Sequence, residues 1–268
     1  MPHLPSRTLE GENEVGHLNL ILILITSIHP ITPINTLEEM YKPLLCFFLL
    51  FTLNAHAVTV ENTNNLNVYY PDFTRIDLVC GKMPKTSEKD VEFCCEAAFT
   101  GELLTEFKHM NIADNHITGG VMEKGYRCKA NTGGFLWRKG RWKFVRKVDY
   151  PTTANGWSMG FCQLLIVKDG KARPLSTRMK SRRNIFRALC EKNGRLCIIE
   201  TKRVLTYESF VRCLTGYKVT HALYLDMGDG WNYAWYRDDS GRVKERFPES
   251  KSSFRFPFRT NWITFYKK

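Results

Sequence analysis

The sequence predicts an α+β fold: a strand-rich single domain with a mixed sheet and few helices. Three observations carry this. The apolar runs are short and stop at strong turn dipeptides, as Phe161–Val167 does before Asp169-Gly170. Asn193-Gly194 sits between two strand-like segments, Ile185–Glu191 and Leu196–Lys202, which is the pattern of a two-residue β-hairpin. A single stretch, Thr206 to Gly216, carries a clear helical period.

The 268-residue chain begins ahead of that domain. Met40 opens a segment with one lysine, Lys42, an apolar run from Leu44 to Leu53, and then Ala55-His56-Ala57. A short basic start, an apolar core and a small-x-small end are the parts of a secretory signal peptide, and the run is too short to span a bilayer as a permanent helix. Residues 1–39 read as an over-extended start, with initiation at Met40; an anchor helix in the run Leu18–Ile28 is the alternative. The expected product is secreted or periplasmic, cleaved after Ala57, with no stable membrane span. Its domain is 58–268, long enough for one substantial core.

Within that domain, residues 58–79 form a leading segment with a strand near Leu66–Tyr70. Val91–Phe99 has two signals. Ser87-x-x-Asp90 is a helix-capping pattern, while Val91, Phe93, Cys95, Ala97 and Phe99 alternate; the alternation is preferred, as a strand. A two-residue loop at Asn193-Gly194 sets Cys190 opposite Cys197 and Arg187 opposite Glu200. The second pair is a cross-strand ion pair on the face away from the cysteines. Thr206 then caps a helix whose Tyr207, Phe210, Val211 and Leu214 recur at i, i+3, i+4 and i+7, and Gly216 ends it. Val219–Leu225 is a strand that delivers Asp226 at its end, and Trp231–Tyr236 and Trp262–Tyr266 are closing strands.

Residues 58–268 keep 37 of the 39 Lys and Arg but 22 of the 27 Asp and Glu, a formal charge of about +15. Such a bias favours anionic partners, although a dispersed basic surface is the plainer explanation of charge alone. Basic runs at Arg138–Lys147 and Lys168–Arg183 interleave with Trp137, Trp142 and Phe144 and are read first as solvated loops. Eight cysteines remain: Cys80, Cys94, Cys95, Cys128, Cys162, Cys190, Cys197 and Cys213. In an exported chain they permit up to four disulfides of undetermined pairing, and no Cys/His spacing reads as a zinc motif.

Three glycine-containing stretches stand out: ANTGGF at Ala130–Phe135, the run Met159–Lys171, and LYLDMGDGW at Leu223–Trp231. Singly, each is turn chemistry. In order, with an arginine strand and a helix between the last two, they resemble the phosphodiester glycosidase domain family, the uncovering-enzyme-like secreted proteins. The resemblance runs from Ile112 to Tyr236 by order of motifs rather than by close identity. It implies a hydrolase that cleaves a sugar–phosphate phosphodiester, with Asp226, Arg187 and Asn131 as catalytic residues and Gly133, Gly134, Gly160, Gly228 and His116 around the substrate. The partner implied is an anionic sugar phosphate or glycan, with no nucleic acid. No organic cofactor is implied, and a divalent metal is left open.

The chemistry is consistent with those residue types. A sugar–phosphate bond already has a good leaving group, so an arginine clamp on phosphate and a carboxylate acting at C1 or on water are the needed parts. Each also has a plain alternative: Asp226 as a turn aspartate, Arg187 as the structural partner of Glu200, His116 as a core or surface histidine. The sequence departs from the family at Met227, which stands where a glycine is usual, and at Asp229-Gly230-Trp231. That departure supports the alternative of a catalytically inactive secreted module binding an anionic glycan or sugar phosphate. A third reading, a cysteine hydrolase using Cys162 and His221, lacks the helix N-terminus that would activate the thiol.

Overall fold

In the computed structural model the described residues are 58–101, 109–174, 180–227, 232–253 and 260–267. The expected leader, residues 1–57, lies outside them. Described in chain order, the strands begin with β1 (Thr59–Asn62), β2 (Leu66–Tyr70), β3 (Arg75–Gly81) and β4 (Val91–Glu96). Then come β5 (His116–Thr118), β6 (Val121–Glu123), β7 (Gly133–Arg138), β8 (Arg141–Arg146), β9 (Met159–Gln163), β10 (Leu165–Lys168) and β11 (Lys171–Ala172). The second half contains β12 (Arg183–Asn184), β13 (Arg187–Lys192), β14 (Arg195–Thr201), β15 (Leu205–Thr206) and helix α1 (Tyr207–Gly216). The last strands are β16 (His221–Tyr224), β17 (Ala234–Arg237), β18 (Val243–Arg246) and β19 (Thr260–Tyr266).

These strands build a seven-stranded sheet, β1-β2-β14-β13-β16-β10-β11, and two five-stranded sheets, β18-β17-β4-β19-β3 and β6-β5-β9-β7-β8. β12 and β15 make a separate two-stranded ribbon. Where a mixed sheet was expected, the described strand pairs are antiparallel, and a parallel bridge occurs only outside them, at Ala113–Tyr126. Short hairpins account for pairs such as β7–β8 and β13–β14, while others, such as β3–β19 and β4–β19, are antiparallel pairs of strands distant in sequence. The α+β, strand-rich class holds.

The turn signals behave as their chemistry demands. Asn193 and Gly194 have φ of 51° and 70°, and Asp169 and Gly170 have 52° and 73°. Two successive left-handed residues are what a type I′ hairpin turn requires. The first closes β13 on β14 with Arg187 opposite Glu200 and Cys190 opposite Cys197, the expected register. The second closes β10 on β11.

Thr206 accepts a hydrogen bond from the Ser209 amide at 3.1 Å and so caps α1, whose Tyr207, Phe210, Val211 and Leu214 are buried. The helix stops at Gly216, but the left-handed residue that follows is Lys218, at φ 60°. One apolar core, with Phe186, Ala188, Cys190, Cys197 and Ile199, lies between α1 and one face of the seven-stranded sheet. A larger one, with Tyr69, Phe93, Phe135, Phe161, Leu189, Ile198 and Phe265, joins the other face to the two five-stranded sheets. Arg187 and Glu200 therefore point into the junction between sheets rather than to solvent. Among the described residues no helix is long and apolar enough to cross a membrane.

Candidate functional site

The end of β16 runs into that junction. Leu225 donates its amide to the Arg187 carbonyl at 3.0 Å, and Asp226 donates its own to the Ala97 carbonyl at 3.0 Å. The chain thus bridges from β13 to the residue after β4, and Asp226 arrives beside Glu96, the last residue of β4. Asp226 is 8% exposed and Glu96 fully buried. Glu96 Oε1 accepts from Thr100 Oγ1 at 3.5 Å, and its Oε2 has no hydrogen-bond partner among the described residues. Burial, and after it the charge of Asp226, hold the Glu96 carboxyl well above the usual carboxylate range. The Asn261 amide and the Arg187 cation oppose that shift without cancelling it. The junction holds two neighbouring carboxyl groups, and burial favours the protonated form of Glu96.

Arg187 is fully buried. Its Nε donates to Glu200 Oε2 at 3.0 Å and its Nη2 to the Asn232 carbonyl at 2.9 Å, while Nη1 has no hydrogen-bond acceptor among the described residues. Arg246 donates to the other Glu200 oxygen through Nε at 2.9 Å and Nη2 at 2.8 Å. One carboxylate between two guanidinium groups leaves a net positive charge beside the Glu96–Asp226 pair.

Asn131 belongs to a neighbouring cluster. Its Nδ2 donates to Asp114 Oδ2 at 2.8 Å, and Lys147 Nζ reaches the same oxygen at 2.7 Å. Asn131 Oδ1 is buried without a hydrogen-bond partner among the described residues. An open cleft of about 370 Å³ beside Asp114 is lined by Lys124, Arg127, Lys147, Tyr150 and Cys162. Tyr126 lies between the two clusters: its phenol is pushed up by burial, by Cys128, and by both Asp226 and Asp114. Asp226 and Arg187 thus both act on Glu96, while Asn131 belongs to the Asp114 cluster.

The glycines have another explanation. Gly133, Gly134 and Gly160 lie in strands paired on both sides, so their amides belong to sheet ladders instead of facing a phosphate. A Cβ on Gly134 would come within 2.5 Å of the Tyr150 ring, and one on Gly160 within 2.7 Å of the Tyr150 hydroxyl. On Gly133 it would meet the Val145 carbonyl at 2.6 Å. Close packing under Tyr150 and against β8 requires these residues to lack side chains. Gly228 lies outside the described residues.

His116 is fully buried in β5, and burial pushes its pKa down to about 4. Its Nε2 is 2.9 Å from His109 Nδ1. One ligand atom each from Cys80, His109 and His116 all lie within 4.8 Å of one another. Spacing along the chain hid this cluster, because Cys80 comes from β3, far in sequence from the two histidines. Glu96 was missed because no local pattern marks an acidic residue at the end of a wholly buried strand, and Asp114 and Lys147 because they meet from segments distant in sequence. The cysteine-hydrolase reading fails. Cys162 is buried with its thiol pushed up to about 12, and His221 pairs with Asp169 at 3.2 Å.

No family model matches this chain, and no curated protein matches it. Among solved structures it resembles the catalytic domain of zebrafish N-acetylglucosamine-1-phosphodiester alpha-N-acetylglucosaminidase, a form auto-inhibited by its pro-peptide. The TM-score is 0.50 at 11% identity, over 79% of this chain and 81% of that one. At that identity the likeness is one of fold.

Proposed function

We propose that this protein is a secreted hydrolase that cleaves a glycosyl 1-phosphodiester, the substrate class named for its zebrafish structural neighbour. The observation that carries the reading is the Glu96–Asp226 carboxyl pair beside Arg187, where the motif resemblance over Ile112–Tyr236 locates the family's aspartate. Opposite demands on two adjacent carboxyl groups are how a site separates an acid from a base. In this reading Glu96 stays protonated and leaves the negative charge of the pair on Asp226. Asp226 then takes a proton from water attacking the anomeric carbon, and the phosphate leaves on a cation. Protonating that leaving group matters less than neutralising it, which is the part assigned to Arg187 Nη1. Lys124, Arg127 and Lys147 would draw the anionic aglycone toward the adjoining cleft.

One observation favours a second reading, a binding module without turnover: Arg187 is fully buried and already holds Glu200 and the Asn232 carbonyl. Incubating the protein with a panel of glycosyl 1-phosphodiesters and measuring released reducing sugar separates the two. Under the hydrolase reading sugar is released, and Asp226→Asn lowers turnover by roughly a hundredfold or more with the fold intact. Binding without release supports the module. Neither binding nor release by any substrate of the panel would sink both.

A further inference from the structure

We infer that Cys80, His109 and His116 form a zinc-binding site, with the Glu123 carboxylate beside it. The three residues come from the edge strand β3, the turn His109–Asn111 and β5, and their ligand atoms already lie within 4.8 Å of one another. A tetrahedral zinc holds nitrogen at about 2.0–2.1 Å and thiolate sulfur at about 2.3 Å, which places ligand atoms roughly 3.3–3.8 Å apart. The cluster is thus close to the size of a bound ion. The two imidazole rings stack with centroids 5.2 Å apart and planes 18° from parallel.

The hydrogen bonds prepare one nitrogen for a cation. His116 Nδ1 lies 3.2 Å from the Asp114 carbonyl. A carbonyl only accepts, so Nδ1 carries the proton and Nε2 presents a lone pair toward His109. That lone pair takes the His109 Nδ1 proton across 2.9 Å; a cation would occupy the same lone pair while His109 moves its proton to the other ring nitrogen.

Charge completes the argument. Glu123 is the cross-strand partner of His116, and its charge acts on both Cys80 and His116. A divalent cation, one thiolate and one carboxylate sum to zero, the balance that a half-buried ion needs. Two imidazoles and a thiolate are ligand types of zinc rather than of calcium or magnesium. Such an ion would tie β3, at the edge of one five-stranded sheet, to β5 in the other. None of the three ligands enters the proposed hydrolysis, so the inference stands apart from that reading.

The test uses the whole purified protein, stripped with a chelator and titrated with zinc against a chromophoric competitor, then with cobalt(II). The site should take about one equivalent of zinc, and cobalt should give a thiolate-to-metal charge-transfer absorption. His109→Ala, at a half-buried turn where the fold should persist, should weaken zinc binding by at least 10–100-fold. Cys80→Ser should abolish the charge-transfer band. His221→Ala, at a separate half-buried histidine beside Asp169, should leave both signals intact. Failure to hold zinc, or equal affinity in His109→Ala, Cys80→Ser and the parent protein, would overturn the inference.

Discussion

Replacing Glu96 by glutamine should remove the decline in stability that its buried carboxyl is expected to impose as pH rises. The Glu96 carboxyl is fully buried, one of its oxygens has no hydrogen-bond partner among the described residues, and burial together with Asp226 raises its pKa well above the usual carboxylate range. Below pH 4.5 both folded and unfolded chains hold this proton, and the group leaves stability unchanged with pH. Above it the unfolded chain releases the proton while the folded one retains it. Stability then falls by about 1.4 kcal/mol per pH unit until the folded carboxyl itself titrates. Glutamine carries no proton to lose, so this slope disappears, whatever constant offset the amide introduces. Urea unfolding of both proteins at half-unit steps from pH 4 to pH 8 isolates the effect, because the other ionisable groups cancel in the difference. Asp226→Asn supplies the second arm: with the neighbouring charge removed, the decline should end at a lower pH. A parent-minus-variant difference that stays flat across the range would refute the buried carboxyl pair, and with it the basis for Asp226 as the base.

Two further substitutions test the packing around the site. Gly134→Ala would bring a methyl group within 2.5 Å and 2.8 Å of two Tyr150 ring carbons and 2.9 Å of the Phe161 carbonyl. It should destabilise by about 1–3 kcal/mol in urea, and a change under about 0.5 kcal/mol would show that Tyr150 does not rest there. Glu200→Ala strips the shared partner from Arg187 and Arg246 and leaves a buried guanidinium group without its carboxylate, which should cost about 3–5 kcal/mol. An unfolding midpoint like that of the parent would mean that the triad is not formed in solution.

What the sequence determined by itself was local. The hairpin register, Arg187 opposite Glu200, follows from Asn193-Gly194, because few residue pairs accept two successive left-handed conformations. The cap at Thr206 and the buried stripe of α1 follow from a side-chain oxygen and a period of 3.6. Asp226 at a strand end was legible for a similar reason: an apolar run stops where a carboxylate begins. What lay across the strand order was not legible. β4 pairs with β17 and β19, distant in sequence, so nothing near Glu96 announces that its carboxyl will meet Asp226. The alternation in the hairpin put Arg187 on the face opposite the cysteines, but only the packing of the sheets decided that this face is interior. Cys80 joins His109 and His116 because β3 and β5, from different sheets, come together. Motif order assigned Gly133, Gly134 and Gly160 to a ligand, whereas Tyr150 packs on two of them. A chain encodes its turns and periods residue by residue, but which faces meet is settled by the burial of all of them together, and the candidate site is made of such meetings.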